Sequence, residues 1–167
     1  MEKYTEEQYI KDTQKHVDLV RESISVFIKM LMERGKNHDR TKFQEPEKSI
    51  FIKYTPELDK CEYGSEEYKR HLEKVKVAIE HHYKNNSHHP EHYKNGIKDM
   101  NLLDIVEMFC DWYAVTYQHG RNTIEESIKI NKERFGYSDD LEAIFNNTTN
   151  ILHEHFKKEK QRTDQAV

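Results

Sequence analysis

The chain has 167 residues, of which 27 are Lys or Arg and 31 are Asp or Glu, giving a formal net charge of −4. That length suits one domain and leaves no room for two. The slight acidity argues against long nucleic acid or an anionic membrane as partner, since neither is drawn to a surface without a basic face.

Charged and apolar residues each make up 35% of the sequence, so the expected core is thin. Ten Tyr, seven Phe and one Trp are nevertheless too many for a disordered polar chain. Cys61 and Cys110 stand far apart and outside any Cys-x-x-Cys spacing, which reads as free thiols in a reducing cytoplasm. The first residues, Met1 to Glu7, hold no apolar stretch, so neither a signal peptide nor a membrane anchor is expected.

Five glycines, three prolines and almost no alternating apolar pattern predict an all-α protein. The expectation is a compact bundle of about six to seven helices over residues 1–157, with a frayed tail at 158–167. Thr5-Glu6-Glu7-Gln8 reads as a capping box opening the first helix. Its apolar stripe is Val17, Val20, Ile24, Phe27 and Leu31, and Gly35 is its expected end. His38 to Phe43 reads as the start of a second helix. Pro46 opens a short segment through Ile50, Phe51 and Tyr54, which Pro56 closes.

Asp59 to Gly64 is an expected loop, and Ser65 caps a helix with the stripe Tyr68, Leu72, Val75, Ile79 and His82. A turn-rich stretch, Lys84 to Asp99, follows. Asn101 caps a helix running to about His119, and Thr123-Ile124-Glu125-Glu126 is a second capping box whose helix stops at Gly136. The last helix starts at Ser138 with the stripe Leu141, Phe145, Thr148, Leu152 and Phe156.

Eight of the eleven histidines fall between His16 and His92. The string His38-Asp39-Arg40-Thr41-Lys42 joins ligands for Mn, Fe, Ni, Zn or Mg to a lysine suited to an anion. His16 borders the stripe of the first helix. His82 continues the inward stripe of its own helix, with His81 turned about 100° aside. Asp104, Glu107 and Asp111 stack on one helix face, which is unfavourable unless a cation compensates. Each residue has a plainer reading: a hydrogen-bonded core histidine, a solvent-facing turn, a carboxylate pair met by lysines. Their recurrence on separate helices is what points to a metal cage. His71, His119, His153 and His155 read as surface residues.

His88-His89-Pro90-Glu91-His92 matches the zinc-protease pattern His-x-x-Glu-His, but that chemistry needs one continuous helix face. Pro90 breaks it. A first-turn Pro90 instead leaves His88 and His89 in the entering loop, able to lean over a metal, with His89 ranked first and His92 behind it.

The order His16, His38-Asp39, His82 with His89, then Asp111, resembles the HD-domain superfamily of metal-dependent phosphohydrolases. The strings HDRTKF, HHPEHYKNGI and MNLLDIVEMFCDW look like a small HD-like family of phages and bacteria without an assigned function, over roughly Val17 to Phe145. The Lys42 offset resembles the variant found in two-metal cyclic-dinucleotide phosphodiesterases, but the Gly-Tyr-Pro signature of that branch is absent. The resemblance implies an HD-like fold and one or two divalent ions, with His16, His38, Asp39 and Asp111 on the principal ion and His82 and His89 on a second. It implies hydrolysis of a nucleotide phosphomonoester or cyclic nucleotide by a metal-activated water, in the host cytoplasm if the chain is phage-encoded. Lys42 would neutralise the phosphate, and Glu107 would orient a ligand or accept a proton, with Glu45 and Glu47 as weaker candidates for the same task. The alternative is an inactive HD-like protein that binds a nucleotide or a host protein.

Overall fold

The computed structural model describes residues 4–58, 60–61, 65–119 and 123–165. Among them are six α-helices and three short 3-10 turns, with no strand, so the protein is all-α as the composition predicts. Contacts divide the chain into two units, Met1–Arg40 and Thr41–Val167.

The first unit is essentially one helix, α1 (Glu6–Asn37). Thr5 opens it with the predicted capping box: its hydroxyl accepts the Gln8 amide proton, and the Gln8 side chain accepts from the Thr5 N–H. Gly35 does not end the helix. A lone interior glycine costs only about 1 kcal/mol, and Asn37 one turn on bonds the Glu33 carbonyl. The chain turns after that, with His38 as cap and Asp39 at φ 54°. Asp39 is the one non-glycine residue given a left-handed backbone among those described, a conformation Asp tolerates better than most. Arg40–Phe43 then forms a 3-10 turn. The expected helix from His38 to Phe43 is therefore corrected, and His38 and Lys42 share no helix face.

In the second unit, α2 (Glu47–Leu58) follows a cis Glu45–Pro46 bond and carries Pro56 inside its last turn, ending two residues later than predicted. Of the expected loop Asp59–Gly64, only residues 60–61 are described; the rest lies outside the described residues. Ser65 caps α3 (Glu66–Asn85), accepting the Tyr68 amide proton at 3.1 Å. Glu47 at the start of α2 meets His81 and His82 near the end of α3, whereas Glu57 meets His71 near its beginning. Those pairings make α2 and α3 antiparallel.

The turn region carries two further 3-10 turns, Pro90–His92 and Gly96–Asp99. Asn101 then caps α4 (Leu102–His119), its side chain accepting the Leu103 and Asp104 amide protons. Thr123 builds the second predicted capping box at α5 (Ile124–Phe135), which ends on Gly136 in the left-handed conformation. Thr123→Ala is expected to cost about 1 kcal/mol in chemical denaturation. Ser138 caps α6, which spans Asp139–Gln165 and so includes most of the stretch expected as a tail.

The core of this unit packs Met108, Phe109 and Tyr113 of α4 against Ile124 and Ile128 of α5, with Tyr137 and Phe145. The Phe109 and Phe145 rings stack with centroids 5.1 Å apart, and Tyr137 meets Phe145 edge-on. Burial, and after it the charge of Glu142, pushes the Tyr137 phenol up to about 12; its hydroxyl donates to the Ile128 carbonyl. Thr149 takes the buried position expected of Thr148. No helix among the described residues is long and apolar enough to cross a membrane.

Candidate metal centre

The inward stripe of α3 runs one residue past the predicted end: His82 and, one turn later, Asn86 are both buried. Beneath them lies Glu47, fully buried. Its two oxygens sit 2.7 Å from His81 Nδ1 and 2.9 Å from His82 Nδ1. The Asn86 amide donates to the His82 carbonyl and to Thr41 Oγ1, each at 2.8 Å, which uses both of its protons. His82 Nδ1 must therefore donate its own proton to Glu47 rather than accept one from Asn86. In the neutral imidazole that tautomer leaves Nε2 of His82 with a lone pair.

Burial alone would raise the Glu47 carboxyl, but hydrogen bonds from His81, Thr41 and His82 outweigh it and hold the group below the ordinary range. The carboxylate is thus charged and matched by donors on both oxygens. Glu45, the other candidate beside the doublet, stands in the turn before α2 and accepts from Ser49 in the first turn of that helix instead.

The lone pair of His82 faces the turn that follows. As the first-turn reading of Pro90 predicts, His88 and His89 lie in the loop entering the 3-10 turn, with Pro90 at its start. The turn is tied down through Asp104, which is fully buried and accepts from Ser87 Oγ and the Tyr93 hydroxyl at 2.8 Å and from the Asn101 amide at 3.0 Å. Asp104 is therefore a clamp between the turn and α4, not a third member of an unpaired carboxylate stack. Glu107, one turn on, lies 3.2 Å from Nδ1 of buried His88. It backs a histidine just as Glu47 does.

Ligand nitrogens of His82, His88 and His89 lie within 4.8 Å of one another. The Nε2 atoms of His82 and His89 are 2.9 Å apart. Two nitrogens bound at about 2.0–2.1 Å to one ion stand about 2.9 Å apart at a right angle and about 3.3 Å apart at the tetrahedral angle. Three imidazoles, two backed by carboxylates, thus form a donor set that fits a divalent ion with little rearrangement, and borderline metals such as Zn, Ni or Fe suit it best.

His82 and His89 also line a cavity of about 680 Å³ between α2 and α3, which Lys42 and Lys48 share. Lys42, expected from the sequence to neutralise a phosphate, is among the residues that line this cavity. His81 is held by Glu47, and His92 bonds the Tyr83 carbonyl from an exposed position. Glu91, the would-be protease acid, pairs with Arg134.

The remaining predicted residues fall elsewhere. His16 lies 22 residues before His38 along a continuous α1, roughly 33 Å at 1.5 Å per residue. One ion cannot take both, and His16 joins no ligand group among the described residues; its assignment to the principal metal is corrected. His38 Nε2 and Asp39 Oδ2 are 3.6 Å apart at the end of the first unit, the doublet set by its left-handed turn. Asp111 lies one turn beyond Glu107 on α4, half-buried.

His71 is not a surface residue: its side chain is 14% exposed and pairs with Glu57 at 2.8 Å. Its ligand atom also lies within 4.8 Å of those of Cys61 and Glu67. Burial, then the charges of Glu67 and Glu57, raises the Cys61 thiol. His153 and His155 are exposed as expected, and the His119 side chain lies outside the described residues.

Sequence reasoning had a signal for Glu47 in its closeness to the doublet, but none that ranked it above Glu45. Asn86 was legible as the next step of the stripe that ends in His82. No curated protein and no solved structure matches the chain. The profile of a family of unknown function, DUF5662, matches residues 5–158, nearly the whole length, and the chain belongs to that family.

Proposed function

We propose that this protein is a metal-dependent phosphohydrolase acting on a small phosphate ester, a nucleotide phosphomonoester or a cyclic nucleotide being the classes its HD-like motifs imply. One observation carries the reading: His82 and His89, with facing Nε2 atoms and one tautomer locked by a buried carboxylate, open onto the cavity that Lys42 lines. His82, His88 and His89 would hold the ion. Asp111 is proposed as a further ligand on the strength of the resemblance alone. A divalent ion held by these residues supplies Lewis acidity and brings the pKa of a water towards 7. Glu47 and Glu107 keep their histidines oriented, and Lys42 neutralises a phosphate oxygen where charge builds up.

Elemental analysis of the purified chain, thermal shifts with Mn, Fe, Ni, Zn and Mg, and a panel of mononucleotides and cyclic nucleotides test this together. The expected result is bound metal with metal-dependent release of phosphate. Lys42→Ala should keep the metal and lose roughly 10²-fold in rate; a fully active Lys42→Ala removes that role. Absence of any metal effect overturns the reading, and metal without turnover turns it into the binding alternative.

A further inference from the structure

The cavity beside His82 and His89 mixes charge with apolar surface. Lys42 and Lys48 bring the charge to a lining shared with the two imidazoles. Phe51 and Ile52 of α2 and Ile79 and Tyr83 of α3 make its apolar wall, and Phe43 also lines it. Phe43 is 77% exposed and Ile52 69%. Large side chains left so open beside a charged pocket mark a place where an apolar group is received.

Hydrogen-bonding capacity on that wall is poor. Thr55 and Tyr83 carry the neutral hydroxyls of the lining, and the Tyr83 hydroxyl already takes a contact from Arg134. In a nucleotide or hexose phosphate, the group next to the phosphate is a sugar, whose hydroxyls would meet this wall short of partners. A flat hydrocarbon ring loses nothing there and gains by leaving water.

We infer that the cavity takes a phosphate monoester whose organic group is planar and apolar, the phosphate between the two lysines and the imidazoles, the ring against the α2–α3 wall. The inference rests on reading the site as a phosphate-handling centre, and it puts aryl-type esters in place of the nucleotides that the sequence motifs imply. Hydrolysis of such an ester breaks its P–O bond, forms a new P–O bond to the oxygen of water and passes one water proton to the departing oxygen. The products are inorganic phosphate and the free hydroxyl compound.

Calorimetric titration of the full-length, zinc-supplied protein with 1-naphthylphosphonate and with methylphosphonate, neither of them hydrolysable, tests the ligand class by binding alone. The naphthyl compound is expected to bind roughly 30-fold tighter, equivalent to about 2 kcal/mol. Ile52→Asn, a neutral polar change at an exposed wall position, should lower that ratio several-fold by weakening the naphthyl compound more than methylphosphonate. Lys48→Ala should weaken both by the same few-fold factor. Equal affinity for the two phosphonates, no binding of either, or a ratio unchanged by Ile52→Asn overturns the inference. The ratio is independent of turnover. An inactive protein that keeps it loses only the hydrolase reading, and an active one with a ratio of one loses only the ligand class.

Discussion

Glu47→Ala is expected to destabilise the second unit by about 3–5 kcal/mol and to empty the candidate centre of metal. The carboxylate is fully buried and receives protons from His81, His82 and Thr41. Removing one member of such a buried network leaves its partners desolvated, which costs far more than the network itself contributes. Glu47→Gln separates the two effects. The amide keeps the volume and one acceptor but offers N–H where a second imidazole donates, so metal affinity should fall about 10–100-fold with a smaller loss of stability. Chemical denaturation and metal titration of both variants read this out; an alanine variant as stable as the parent would refute the network's role.

The same carboxylate gives a pH signature. Its folded pKa lies below the ordinary glutamate value of about 4.5, through hydrogen bonds that outweigh burial. A depressed carboxyl binds fewer protons in the folded state than in the unfolded one, so its contribution to stability is complete above about 4.5. It is lost as pH falls through the folded value. Glu47→Gln should flatten the parent's decline in stability below about pH 4.5.

His89→Ala carries the second large effect, on metal binding. His89 is half-buried in a turn and faces Nε2 of His82. Its loss should cost the metal-free protein about 1 kcal/mol, the ordinary cost of a point substitution. With ion at a hundredfold excess over Kd, however, the parent gains about 2.7 kcal/mol that the variant should not. His82→Ala, by contrast, should lower stability with or without ion, because it strands Glu47. If His89→Ala keeps the full metal-induced shift in melting temperature, His89 is no ligand.

The elements that local chemistry decides were legible in the sequence. Both capping boxes, Ser65, Asn101 and the Gly136 stop depend on a few neighbouring residues, and each stands where the sequence puts it. His82 was legible because a period of three to four carried it inward. Some local stops misled: Gly35 stays helical, the helix running on to Asn37, and Asp39 turns left-handed where helix was expected. Other features that escaped are fixed by distant partners. The stack of Asp104, Glu107 and Asp111 looked like one cation site, yet Asp104 is consumed by Ser87 and Tyr93, whose approach is tertiary. His16 looked like a ligand because a stripe says which way a side chain faces, not how far along the helix its neighbour lies.

The Asp104 clamp bears on how fast the proposed centre would take up an ion. With Ser87 and Tyr93 already fastened to α4, His88 and His89 would need no chain closure when a cation arrives. The barrier would then belong to the cation, as the cost of shedding its hydration shell one water at a time. Discrimination among metals at such a site would be decided on the way in as well as at equilibrium, with slowly exchanging ions held back at a door that the protein itself keeps open.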